Sequence, residues 1–276
     1  MNWFESVIFG LISGLSDVLP VSSQAHKAIL LKLFGENGED PLLRLFIHAA
    51  ILAALYYCCS NHIQRILRQL RLSRIPKKKR KRPLDTRTLM EFKLLRMILV
   101  PVLLSLLAYN HTQPWGIQLN LTTIFLLLNG VILFLPNLLP TGNKDARSMS
   151  ALEGLLIGIG GAVSVLPGVS AVGSANAVAS VCGAERSFAL NLTYLMHMVL
   201  TMALVAFDVA AVFAAGVSGI TVAVMIRCLI AAVAAFGGAY VGIRAMRMLA
   251  VNIGFSIFAF YSFGAALLSF MLYLMV

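Results

Sequence analysis

The feature that most limits this chain is its succession of long apolar stretches. They lie near residues 5–33, 43–59, 95–109, 119–138, 151–182, 187–214, 218–249 and 251–276, separated by short polar or basic segments. Several reach the ~20 residues that a helix needs to cross a bilayer. In all, 59% of residues are hydrophobic and 12% charged, against about half and about a quarter in a soluble domain. A water-soluble fold has too little interior to hide that excess, whereas lipid solvates apolar side chains on every face of a helix. The ~10-residue alternating segments of an outer-membrane barrel are missing from the pattern. The stretches therefore predict an all-α polytopic membrane protein, one integral membrane domain over residues 1–276.

Charge sets the expected orientation. Residues 61–96 hold 13 of the 22 lysines and arginines, among them the run Lys77-Lys78-Lys79-Arg80-Lys81-Arg82 between Pro76 and Pro83. The excess of basic residues on the cytoplasmic side of membrane proteins places a basic loop over 61–94 in the cytoplasm. Segment 43–59 then runs inward, 95–109 outward and 119–138 inward again, with 110–118 outside. Residues 139–150 fall inside, and Lys144 and Arg147 there agree with that assignment. The run lacks the interleaved aromatics of a nucleic-acid surface, so it reads as a topology signal and a contact for anionic membrane lipids, with no nucleic acid as partner. Cys58, Cys59, Cys182 and Cys228 form no CxxC pair and have no histidine at metal spacing; they read as small apolar packing residues. Met1–Glu5 has no basic character, so no cleavable signal peptide is expected and the first apolar segment stays in the mature protein.

Two apolar stretches differ from ordinary spans. One reads Leu11-Ile12-Ser13-Gly14-Leu15-Ser16-Asp17-Val18-Leu19-Pro20-Val21-Ser22-Ser23 and the other Gly158-Ile159-Gly160-Gly161-Ala162-Val163-Ser164-Val165-Leu166-Pro167-Gly168-Val169-Ser170. With the Leu-Pro pairs aligned at an offset of 147 positions, Gly14 falls on Gly161, and Val21-Ser22 resembles Val169-Ser170 after one insertion. This predicts an inverted repeat with a first half over 1–138 and a second over 151–276. Proline removes a backbone donor and breaks the helix. Broken backbone at membrane depth is tolerated only inside protein or beside a watery cavity, and a matched pair of such breaks points to a binding site near the midplane. Ser22 or Ser23, and Ser170, suit the N-cap of a new half-helix after each break. Two converging half-helix N-termini would present free N–H groups to an anion, phosphate in particular.

The ionisable residues inside these stretches carry the rest of the signal. A carboxylate at membrane depth costs roughly 2.5–3.5 kcal/mol on insertion scales and ordinarily faces a cavity or a partner. Asp17 lies three residues before Pro20, and His26 lies just beyond the break. Lys27 can meet a phosphate or snorkel to the interface. Arg186 opens the span after the second break, as an anion ligand or a boundary anchor. His48 and His197 sit alone among apolar residues, where a histidine is ordinarily a hydrogen-bonded core residue. Asp208, Arg244 and Arg247 lie near expected span ends. These features do not separate an enzyme from a transporter.

The stretch from Gly14 to His26 resembles the first signature of the bacterial undecaprenyl-pyrophosphate (undecaprenyl-diphosphate) phosphatase family, roughly E-G-x-(T/S)-E-F-L-P-(V/I)-S-S-(T/S)-G-H. Leu166-Pro167-Gly168-Val169-Ser170 resembles the start of the second, P-G-x-S-R-S-x-x-T. Ala184-Glu185-Arg186, Asp208, and Ile253-Gly254-Phe255 through Tyr261 extend the similarity over essentially the whole chain. The resemblance implies membrane helices with two re-entrant helical hairpins in an inverted repeat, in a multi-pass protein of the bacterial cell (inner) membrane. It implies hydrolysis of undecaprenyl pyrophosphate to undecaprenyl phosphate and phosphate. That reaction recycles the lipid carrier of peptidoglycan and cell-wall synthesis and is linked to bacitracin resistance. It also implies a divalent cation, Mg²⁺ or Ca²⁺, and is compatible with a homodimer. Carried over by position, Asp17 is the metal or proton-handling carboxylate, His26 and Ser22 are catalytic, and Ser23, Gly168 and Ser170 bind phosphate.

The chain departs from the pattern at telling places. Ser13 stands where the family has its first glutamate, and Asp17 is one carbon shorter than the second. Ala171 replaces the arginine of the second signature, Val172 and Ala175 replace its serine and threonine, and Ser262 follows Tyr261 where arginine is common. Losing one transition-state donor typically costs ~10²–10³ in rate, so Lys27 and Arg186 are expected to supply the missing phosphate-binding charge. Two readings follow: a divergent phosphatase with a rebuilt clamp, or a degenerate homologue that binds or translocates polyprenyl-phosphate lipids. The phosphatase leads because the first signature is nearly intact. A structural scaffold would explain neither Asp17 nor His26.

Overall fold

The apolar stretches fold as helices in a computed structural model that describes residues 1–276 apart from 81, 217–220, 253–255 and 276. Lys81 and the Ile253-Gly254-Phe255 similarity therefore lie outside the described residues. Eleven α-helices are described: α1 (Trp3–Val18), α2 (Ser23–Leu33), α3 (Pro41–Ser73), α4 (Thr86–Ser105), α5 (Tyr109–Thr112), α6 (Leu119–Phe134), α7 (Ala151–Ala162), α8 (Ala171–Val181), α9 (Arg186–Ala215), α10 (Val222–Asn252) and α11 (Ser256–Met275). Among the described residues six stretches are long and apolar enough to cross a membrane: 41–73, 86–116, 119–138, 186–215, 222–249 and 256–275. The protein is a multi-pass membrane protein.

The two proline-bearing stretches form broken pairs, α1–α2 and α7–α8. Helices of 16 and 11 residues reach only about 24 and 16 Å at 1.5 Å per residue, short of a ~30 Å hydrocarbon core. Local chemistry sets their ends in parallel ways. Asn2 and Glu5 form a capping box at the start of α1, and Ser150 and Glu153 form one at the start of α7. Asp40 caps α3, with Pro41 in its first turn, and Glu185 caps α9. The order of broken pair, then long helix, thus occurs twice. α1 packs along α10 as α7 packs along α4, while α3 packs with α9 and α6 with α11. Such recurrence is what an internal repeat requires.

In lipid, helices associate by close packing and hydrogen bonding more than by the hydrophobic effect. The seam between α1 and α10 shows this. A Cβ added at Gly14 would stand 2.0 Å from the Ala235 carbonyl oxygen, and one at Gly10 would stand 2.1 Å from that of Ala231. Behind the seam one apolar core joins Phe9 and Val18 of α1, Ile47, Ile51 and Leu55 of α3, Ile98 of α4, Ile157 of α7 and Met196 of α9.

The basic stretch is not a loop throughout. α3 continues to Ser73 and α4 begins at Thr86, so most of 61–94 is helical and the non-helical connection is short. Arginine, leucine, lysine and glutamine are good helix formers, and the extensions are tied together by Glu91, which meets His62 at 2.8 Å and Arg65 at 3.2 Å. The four cysteines are free.

Candidate functional site at the two helix breaks

The breaks at Leu19-Pro20 and Leu166-Pro167 meet in the interior. Ser170 Oγ donates to the Leu19 carbonyl at 3.1 Å, and a Cβ at Gly173 would touch Pro20 at 3.1 Å. Asn129 of α6 holds both. Its Oδ1 accepts from Ser170 N at 2.9 Å, and its Nδ2 donates to the Pro20 carbonyl at 3.4 Å and to Ser262 Oγ at 2.9 Å. Tyr194 donates its hydroxyl to the Val18 carbonyl at 3.1 Å. Backbone polar groups freed by the prolines are thus partly satisfied by side chains, as burial demands. Ser22 caps α2, accepting from Ala25 N at 3.3 Å, and Ser170 caps α8, accepting from Gly173 N at 3.1 Å. The first N–H groups of both helices, those of Ser23, Gln24, Ala171 and Val172, have no partner within a helix, and these four residues flank the meeting point.

An inner cleft opens there, lined by Asp17, Ser22, Ser23, Gln24, Ser164, Ser170, Ala171 and His197 among apolar neighbours. Asp17 Oδ2 lies 2.7 Å from His197 Nε2, and the Asp17 side chain is 15% exposed. A carboxylate only accepts, so Nε2 carries the shared proton. Among the described residues His197 Nδ1 is buried without a partner, as is Ser13 Oγ one turn before Asp17. The cleft continues outward past Asp17, Ser23 and Gln24 to Lys27, Glu39, Arg44 and His48. The outer part has a cavity volume of about 340 Å³, room for a diphosphate. Its walls carry two buried ionic groups. Lys27 Nζ meets both oxygens of Glu39 at 2.9 and 3.2 Å. The fully buried Asp208 takes Arg44 Nε on one oxygen and His48 Nδ1 on the other, each at 2.5 Å.

The structure brings Asp17, Ser22, Ser23 and Ser170 to the inner cleft and Lys27 to the outer cleft. It places three expected residues elsewhere, Arg186, His26 and Gly168, none of which lines the cleft. Arg186 sits at the opposite end of α8 from the break, near Pro136 and Thr141; the 11 residues of α8 put about 16 Å between them. Arg186 therefore does not replace the missing arginine. His26 lies on the far side of α2 and is not among the residues lining the cleft. Its Nδ1 donates to the Ser22 carbonyl at 2.6 Å, and its Nε2 meets Tyr261 Oη at 2.7 Å, with the two rings stacked. Gly168 adopts φ +130°, and a Cβ there would stand 2.5 Å from Phe125 Cβ, so glycine is required by the turn and by close packing on α6.

Five residues that matter to this geometry are not singled out by the sequence as site residues. His197 and His48 read as core histidines, Asp208 as a span-end residue, and Arg44 and Asn129 drew no notice. A histidine with an unmatched buried carboxylate elsewhere in the chain was the available signal for His197 and His48, because a buried charge needs a partner.

Among the described residues no three His, Cys, Asp or Glu side chains group closely enough to cage a metal ion. The inner cleft instead offers oxygen donors: the Asp17 carboxylate, serine hydroxyls and the Gln24 amide. That set would suit a hard cation such as Mg²⁺ or Ca²⁺.

The family model described as bacitracin resistance protein BacA matches residues 6–268. A protein of Treponema denticola named undecaprenyl-diphosphatase is 26% identical over 265 residues, covering 95% of this chain and 94% of its own length. Proteins of the same name from Bacteroides fragilis and Methanococcus maripaludis are 30% and 26% identical over 197 residues, each covering 71% of this chain and 70% and 75% of their own lengths.

Proposed function

Because the chain belongs to the family of bacitracin resistance protein BacA, we propose that it hydrolyses undecaprenyl pyrophosphate to undecaprenyl phosphate and inorganic phosphate. The observation that carries this reading is the cleft in which the starts of α2 and α8 converge on Asp17. The relatives named above are all called diphosphatases, which does not favour binding or translocation without hydrolysis.

The chemistry is assigned as follows. The N–H groups of Ser23, Gln24, Ala171 and Val172 hold the terminal phosphoryl group at two helix N-termini, where N–H groups and helix dipoles favour an anion. A water molecule attacks the terminal phosphorus, the bond from that phosphorus to the bridging oxygen breaks, and the bridging oxygen leaves on undecaprenyl phosphate. Asp17 takes the proton of the attacking water, and His197 fixes the orientation of Asp17 through their 2.7 Å contact. A divalent cation held by Asp17 would supply charge neutralisation. Asn129 holds the two breaks in register. The isoprenoid chain stays in lipid. The site works in a bacterial inner membrane, in a protein whose halves, 1–138 and 151–276, run in opposite senses across it.

Phosphate release from undecaprenyl pyrophosphate by the purified protein in detergent tests the proposal, with Mg²⁺, with Ca²⁺ and with chelator. Cation-dependent release is expected, falling by at least ~10²-fold in Asp17→Asn. His26→Ala is expected to lose less than Asp17→Asn, since His26 is bonded to Tyr261 outside the cleft. A wild-type protein that binds the lipid and releases no phosphate in any of the three conditions would sink the hydrolase reading and leave a lipid binder.

A further inference from the structure

The cleft lacks the arginine of the family's second signature. Ala171 stands in its place at the cleft wall, 8% exposed. An alanine offers no charge to a diphosphate, which at neutral pH carries at least two negative charges and binds best to a planar, two-pronged guanidinium. The lysine and arginine side chains that line the cleft are Lys27 and Arg44. Lys27 Nζ is already engaged by both oxygens of Glu39.

Arg44 is held differently. Among the described residues only its Nε is hydrogen-bonded, donating to Asp208 Oδ1 at 2.5 Å. His48, one turn further along α3, occupies Oδ2 of the same carboxylate at 2.5 Å. Asp208 is fully buried and has both oxygens engaged, so it anchors the guanidinium from behind. The Nη1 and Nη2 edge makes no hydrogen bond among the described residues, is not shut away from open space, and borders the same cleft as Asp17 and Ser23. A guanidinium tied through Nε with its two Nη groups free presents the fork that grips two phosphate oxygens at once.

We propose that Arg44 is the diphosphate clamp of this protein, with Asp208 and His48 as its positioning residues. The guanidinium enters from α3 and rests on a carboxylate of α9, whereas the family's arginine position, Ala171, opens α8. The inference builds on the phosphatase reading. The ligand chemistry is a diphosphate, whether free or on a lipid.

Two measurements on full-length protein test it. The first is the steady-state kinetics of phosphate release from undecaprenyl pyrophosphate for wild type, Arg44→Lys, Arg44→Gln and Asp208→Asn. The second is the shift in thermal unfolding midpoint of the same proteins on adding inorganic pyrophosphate, which needs no turnover. Arg44→Gln is expected to lower kcat/KM by ~10²–10³-fold and to abolish the pyrophosphate shift. Arg44→Lys is expected to lose at least ~10-fold, because an ammonium cannot form the fork. Asp208→Asn is expected to act mainly by raising KM, since the guanidinium stays but is no longer aimed. Arg44→Gln leaves a buried carboxylate with less compensation and can misfold for that reason. The double variant Arg44→Gln/Asp208→Asn removes that charge and is expected to fold while still failing to bind pyrophosphate. Folded Arg44→Gln or double variant with a wild-type pyrophosphate shift and kcat/KM within twofold of wild type overturns the clamp. If wild type releases no phosphate but shows a pyrophosphate shift that vanishes in the Arg44 variants, the clamp stands and the hydrolase reading falls.

Discussion

Asn129 carries more of the site than any single side chain that does chemistry. It is fully buried and satisfies one polar group from each break, Ser170 N–H and the Pro20 carbonyl. Truncation to alanine leaves both groups buried and unpaired, at a cost of roughly 1–3 kcal/mol each. Asn129→Ala should therefore unfold measurably earlier in a detergent thermal melt and should lose phosphate release even though no reacting group has been altered. An unchanged melting midpoint would mean that water replaces the amide. From the chain alone this asparagine is one polar residue in an apolar span. Asp17 was legible because a membrane carboxylate demands a reason, but the identity of its partner, 180 positions away, was not.

At the level of elements, α1 and α10 are held in near backbone contact. Two adjacent glycines of one helix behave in opposite ways, which gives a direct test. A Cβ at Gly238 would stand 2.4 Å from the Leu11 carbonyl oxygen, whereas nothing lies within 4 Å of one at Gly237. Gly238→Ala forces backbone apart and should destabilise the protein by about 1–3 kcal/mol. Gly237→Ala should be neutral or stabilising by up to ~1 kcal/mol through helix propensity. Melting midpoints of the two variants that fall together would refute the seam. The helices themselves were readable from apolar runs, and the cap serines from the residues after each Leu-Pro. The extension of α3 to Ser73 was not, because charged residues that signal a loop next to a membrane are also good helix formers.

For the whole molecule the basic run makes an orientation prediction. A cysteine at Lys79 should react with a membrane-impermeant maleimide only when the cytoplasmic face is exposed, and a cysteine at Trp115 only from the opposite face, each measured against the parent with its four native cysteines. Labelling of position 79 in intact spheroplasts would reverse the topology. The prediction rests on the 13 basic residues of 61–96 and on the rule that such residues stay in the cytoplasm.

Composition and pattern by themselves determined the solvent of this protein, the helical class and the two breaks, because each follows from one local rule: apolar excess requires lipid, lipid requires satisfied backbone, and proline forbids that satisfaction within a helix. The first signature added the family. What only the tertiary structure decided is which charges meet. Arg44 reaches Asp208 across 164 positions and His197 reaches Asp17 across 180, while His26 and Arg186, near the breaks in sequence, turn away from the cleft. The physical reason is that neighbours along a helix point in different directions every 100° or so, so the face a residue presents, and the partner it finds there, are set by the packing of helices far apart in the chain.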